Sequence, residues 1–251
     1  MGDAHTAEEV MNFILLTFLL AGFVKGVIGM GLPTIAVGLL AGAMAPAQAA
    51  SLLIIPSLVT NIWQLLAGPS CLSLIKRLWP MLLGIAVGTG VGCSLLIHDA
   101  SGRASLILGG VLVAYAILGL TKIKLEVQRS WEPWLSLPIG AATGVLSGAT
   151  GVFVIPAVPY LSALGLGKDD LVQALGLSFT VSTLALAGSL FFGDVFRTSL
   201  LGTSLLALAP ALLGVFIGQR LRDHVKPATF RLCFFLGLLG LGLDQLTGLA
   251  F

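Results

Sequence analysis

Long apolar runs alternate with short polar breaks along the whole chain. They cover roughly Val10–Val24, Val27–Met44, Gln48–Ala67, Trp79–Ile97, Ala104–Leu120, Trp134–Leu146, Val152–Leu166, Leu171–Phe192, Ser199–Gly218 and Thr229–Leu249. A helix needs about 20 residues to cross a bilayer, with a range of about 17–25. Most of the runs reach that length. The first pair and the sixth and seventh are shorter and broken by glycine, which predicts tilted or half-membrane helices there. Period-2 alternation, the mark of a membrane barrel, is missing from the runs. The pattern therefore predicts an all-α polytopic membrane protein of about 8–10 transmembrane or half-membrane helices.

Composition agrees. Hydrophobic residues are 57% of the chain and charged residues 10%, where a soluble domain carries roughly 25% charged residues. A net charge of +2 gives no reason to expect a nucleic-acid partner. Cys71, Cys93 and Cys233 are far apart, so neither a disulfide framework nor a zinc site is indicated. No cofactor is called for. Asp3, Glu8 and Glu9 precede the first apolar run without a Lys or Arg, unlike the basic start of a cleaved signal. An uncleaved, outward-facing N-terminus is the expectation.

The cations set a topology. Lys76 with Arg77, then Lys122, Lys124 and Arg129, then Lys168, then Arg220, Arg222, Lys226 and Arg231 occupy alternate breaks. Placing all four groups in the cytoplasm satisfies the positive-inside rule. The loops between them hold only Asp99 with Arg103 and Asp194 with Arg197.

An ordered internal repeat divides the chain. Gly22-Phe-Val-Lys-Gly-Val-Ile-Gly29 matches Gly144-Val-Leu-Ser-Gly-Ala-Thr-Gly151; both read G-x-x-[KS]-G-x-x-G. Gln48-Ala49 matches Gln173-Ala174, and the Pro-x-Leu-Leu-Gly-x-x-x-Gly stretch 80–88 matches 210–218. Each half holds five runs, so it crosses an odd number of times whether its short pair spans or re-enters. The halves are then inverted relative to each other. The division is a tail (1–11), a first membrane repeat (12–121), a basic linker (122–133) and a second repeat (134–251). Inverted repeats with corresponding broken helices point to a transporter with a central site.

Two readings stand for the glycine motifs. Irregular backbone in a bilayer needs protein or a water-filled cavity around it, and helices restarting after a break offer N–H groups to an anion. Gly26, Gly29, Gly31, Gly148 and Gly151 would then line a site, with Ser147 and Thr150 adding hydroxyls. Alternatively the glycines serve close helix packing. Lys25 is the only charge between Glu9 and Lys76. It is either an intramembrane ligand or a snorkelling interface residue. Ser57, Thr60, Asn61 and Gln64 recur at i, i+3, i+4 and i+7 and so share one helix face. Ser178 and Ser182 lie in the corresponding run of the second half. This polar stripe lines a cavity or bonds between helices. The eleven acidic residues fall in tails, loops or run ends, which favours an anion over a cation as cargo. His5, His98 and His224 are scattered, and no HExxH, GxSxG or P-loop pattern occurs. An enzyme is not expected.

Gly22–Pro33, its echo Gly144–Pro156 and the paired Pro-x-Leu-Leu-Gly motifs resemble the TauE/SafE family of sulfite exporters, over about Asn12 to Leu243. The resemblance implies a prokaryotic inner-membrane protein exporting sulfite or an organosulfonate such as sulfoacetate. The expected function is export of a small anion by alternating access. A passive anion channel and a non-transporting accessory subunit are the alternatives. The expected partners are the anion and the lipid bilayer, with a homodimer left open.

Overall fold

In the computed structural model the described residues are 2–97, 103–121, 126–193, 199–222, 224 and 227–247. They form ten helices and no strand: α1 (Gly2–Ile28), α2 (Leu32–Leu40), α3 (Pro46–Leu66), α4 (Cys71–Ile97), α5 (Arg103–Leu120), α6 (Glu132–Thr150), α7 (Ala157–Ala163), α8 (Lys168–Phe192), α9 (Ser199–Leu221) and α10 (Pro227–Thr247). Seven of these helices, α1, α3, α4, α5, α8, α9 and α10, are long and apolar enough to cross a membrane. Leu83, Val87 and Val91 on α4, and Leu205, Leu213 and Phe216 on α9, point outward. They face hydrocarbon, where such side chains cost nothing. At 9 and 7 residues, α2 and α7 are half-membrane helices. Lys122, Lys124, Asp99, Asp194, Arg197 and Lys226, used above for topology, lie outside the described residues.

Glycine sets which helices touch. A β-carbon on Gly84, Gly88 or Gly92 of α4 would lie within 2.5 Å of a carbonyl oxygen of α6, at Leu137, Ala141 and Val145 in turn. Gly140, Gly144 and Gly148 of α6 press back on Met81, Ile85 and Thr89. The numbers rise together, so α4 and α6 are parallel. The equivalent pair across the halves packs in the same way: Gly22 and Gly26 of α1 press on Ala211 and Val215 of α9, and Gly214 and Gly218 press back. This is the small-residue packing of membrane helices, in which close backbone approach replaces the hydrophobic effect.

Equivalent helices also meet each other. Asn61 of α3 bonds Thr183 of α8, whereas Gln64 bonds Val172, so α3 and α8 are antiparallel. Gly109 of α5 meets Gly242 of α10, and Gly119 meets Phe235, again antiparallel. Along α3, Leu52 meets Ser204 early in α9, and Asn61 meets Lys25 late in α1. Helices α1, α3 and α9 therefore run one way and α4, α6 and α8 the other. Exchanging the halves maps one trio onto the other with reversed direction. That is an inverted repeat.

Proline creates one of the ties. Pro56 lies inside α3 and cannot donate to Leu52. The freed Leu52 carbonyl instead accepts from Ser204 Oγ of α9 at 2.7 Å. In hydrocarbon such a group must find a partner inside the protein.

Candidate functional site

Helix α1 does not break at Lys25. It continues to Ile28 and ends through Gly29, whose φ of 79° puts it in the left-handed region, with Gly31 at 101°. Helix α6 ends in the same way at Gly151 (φ 74°). The caps match: Gly29 N–H donates to the Lys25 carbonyl at 2.7 Å and Gly151 N–H to the Ser147 carbonyl at 2.8 Å. Lys25 and Ser147 are thus structurally equivalent residues one turn before the two breaks, inside the helices.

Their side chains have different surroundings. Lys25 is 5% exposed. Its ammonium donates to Thr60 Oγ1 at 3.1 Å and to Asn61 Oδ1. Asn61 Nδ2 donates onward to Thr183 Oγ1 at 3.3 Å. The cluster therefore joins α1, α3 and α8, and the two acceptors that hold the ammonium are both neutral. Snorkelling is ruled out, because the ammonium turns into the bundle and not to its surface. Ser147, in contrast, is closed on its own helix by a 2.6 Å bond to the Thr143 carbonyl, and Thr150 by a 2.7 Å bond to the Leu146 carbonyl.

The α3–α8 crossing carries a second feature. Most hydroxyls on these helices bond back to the preceding turn, as Thr60, Thr180 and Thr183 do. Ser57, Ser178 and Ser182 are fully buried yet have no partner, and Thr34 of α2 is in the same state. Ser57 and Ser182 lie one turn before Asn61 and next to Thr183 respectively. An unpaired buried hydroxyl costs about 1–3 kcal/mol.

Several expected site residues have other tasks. Gly26 and Gly148 lie inside α1 and α6 and pack on α9 and α4; for them close packing is the observed role. Gly31 sits against the Phe234 ring and Val24. Gly151 meets Val37, Ala50 and Leu53. A β-carbon at Gly29 would meet nothing within 4 Å, so the first break borders open space. The two breaks do not face each other. The first lies by Lys25, beside Thr60 and Asn61, and the second beside Ala50 and Leu53, roughly 10–16 Å apart along α3 at 1.5 Å per residue. Inversion explains this, since α1 and α6 enter from opposite sides. Gln64 is a staple: its amide donates to the Val172 carbonyl at 2.8 Å. Beside it Gln173 donates to the carbonyls of Leu65 and Gly68 and accepts from Ser70 N–H.

Sequence reasoning missed the ion pair on the side of the bundle where α3 ends and α4 and α8 begin. Arg77 Nε and Nη2 donate to Glu132 at 2.6 and 2.8 Å. Glu132 is buried at the start of α6, and its backbone carbonyl accepts from Ser136 and Tyr160. Only the fold brings residues 77 and 132 together. No group of three or more His, Cys, Asp or Glu side chains among the described residues could hold a metal.

The sulfite exporter TauE/SafE family profile matches residues 14–244, nearly the whole chain. The chain belongs to the TauE/SafE family. It is a multi-pass membrane protein of a transporter family, and the TauE/SafE match covers both glycine motifs and all ten helices in whole or part. No curated protein and no solved structure gives a match.

Proposed function

We propose that this protein exports a small oxyanion, sulfite or an organosulfonate such as sulfoacetate, across a prokaryotic inner membrane by alternating access. The observation that carries the reading is Lys25: a buried ammonium held by the neutral acceptors of Thr60 and Asn61. A charge out of water is stable only with a counter-charge nearby. An anion bound between Lys25 and the unpaired hydroxyls of Ser57, Ser178 and Ser182 supplies it. The site lies where two oppositely directed helix trios cross, which is where a rocking motion exposes a ligand first to one side and then to the other.

The test is counterflow in proteoliposomes. Unlabelled sulfite or sulfoacetate trapped inside should drive transient, saturable accumulation of labelled anion. Lys25→Gln should abolish that accumulation while the protein still folds and inserts. Linear, non-saturating flux would assign a passive pore, and wild-type counterflow in Lys25→Gln would remove Lys25 from the site.

A further inference from the structure

Three cations that in the sequence serve only to set topology converge on one cavity. It has a volume of about 520 Å³, and its walls include Ser70, Lys76, Arg77, Arg129 and Asp170. Lys76 and Arg77 come from the first turns of α4, Arg129 from the linker between the halves, and Asp170 from the first turn of α8. Arg77 is engaged by Glu132. Lys76 and Arg129 are exposed. The cavity adjoins the end of α3, because Ser70 N–H is bonded to Gln173. The Gln64 and Gln173 amides tie α3 to α8 between this cavity and the Lys25 cluster. From Asn61 to Gln64 is less than one helical turn, and Ser70 follows six residues later.

We infer that this cavity is a second anion site, the cytoplasmic loading site of the transport path, in which Lys76 and Arg129 collect a small oxyanion before it passes the Gln64–Gln173 seal to Lys25. The inference rests on the anion-export reading and extends it. Cations grouped in a concave mouth raise the local concentration of an anion and its rate of capture, an effect that salt weakens. Both arginine and lysine donate charge-assisted bonds to sulfonate-type oxygens. Asp170 opposes them and tempers retention, so that the anion moves on. The glutamine amides bond backbone groups of the opposite helix, and opening them frees polar donors along the route inward.

The experiment compares labelled sulfite uptake into inverted membrane vesicles, which present the cytoplasmic face, with uptake into right-side-out vesicles. Lys76→Gln or Arg129→Gln alone should raise KM about tenfold from the cytoplasmic face, the loss of one charge-assisted contact, and the two together should raise it further. The maximal rate and the KM from the other face should not change. Asp170→Asn should shift the cytoplasmic KM in the opposite direction, which loss of a topology signal does not do. Lys76→Arg with Arg129→Lys should stay near wild type. Calorimetric titration of sulfite into the purified protein in lipid-free detergent should count two sites, one lost in Lys76→Gln/Arg129→Gln and the other in Lys25→Gln. An unchanged cytoplasmic KM, or equal changes from both faces, overturns the loading site. So does a count of one site that persists in Lys76→Gln/Arg129→Gln. If the cavity takes up phosphatidylglycerol in a way that Lys76→Gln/Arg129→Gln abolishes, while sulfite titrates only one site, the cavity holds a lipid headgroup and the inference falls. A Lys25→Gln protein with wild-type transport sinks the central site instead, so the two failures are distinguishable.

Discussion

Asn61 holds the Lys25 ammonium with a neutral amide oxygen, and the proposed anion site depends on that neutrality. Asn61→Asp would place a carboxylate at the same position. The resulting ion pair satisfies Lys25 permanently, so sulfite should no longer bind, while the melting temperature of the free protein holds or rises. Thermal shift with and without sulfite checks both parts. A retained sulfite-induced shift would show that the anion does not depend on Lys25. The orphan hydroxyls make a complementary case. Ser57→Ala and Ser182→Ala each remove a buried group without a partner. Each should leave stability unchanged or raise it by about 1 kcal/mol, and each should weaken sulfite affinity. Denaturation midpoints alongside binding isotherms separate the two effects. Loss of stability would mean that the hydroxyls are structural.

At the level of helices, contact depends on glycine backbones and on one proline. Gly88→Leu or Gly144→Leu would drive a side chain into the opposing backbone, where even a β-carbon would lie 2.3 Å from the Ala141 or the Ile85 carbonyl oxygen. Overpacking of this sort costs typically about 1–3 kcal/mol, and here α4 and α6 would have to separate. A lower melting temperature and poor yield are the expected outcome, with Gly90→Leu as the control, since its β-carbon meets nothing within 4 Å. Ser204→Ala should cost about 1–3 kcal/mol by orphaning the Leu52 carbonyl that Pro56 set free. A Pro56→Ala background restores the helical donor, so the same substitution there should cost less. A double-mutant cycle reads that coupling directly.

On the scale of the whole molecule, inversion places the ends of α1, α3 and α9 and the starts of α4 and α8 on one face, with Lys76, Arg77, Arg129, Lys168 and Arg220. Single cysteines at Arg129 and at Arg222, in a background freed of native cysteine, should react with a membrane-impermeant thiol reagent from the same side, the cytoplasmic one. A cysteine at Ser94, by the opposite ends of α4 and α8, should react from the other side. Labelling of residues 129 and 222 from opposite sides would contradict the paired orientation of the halves.

The linear pattern was sufficient for the helical membrane class, the ten-run order and the equivalence of Gly29 with Gly151, because run length and glycine position are local properties that the bilayer reads directly. It also marked Lys25, because a lone charge in an apolar run is costly wherever the chain folds. The role of each glycine was not legible. Gly26 and Gly29 lie three residues apart in one motif, yet the first packs on α9 and the second ends α1. That difference depends on which face meets another helix and on the sign of φ. Nor could the sequence say that Lys25 meets Thr60 and Asn61, that Gln64 ties off Val172, or that Lys76 and Arg129 share a cavity. Those contacts join residues dozens to more than a hundred positions apart. Only the crossing of the two inverted trios, fixed by close backbone packing, decides them.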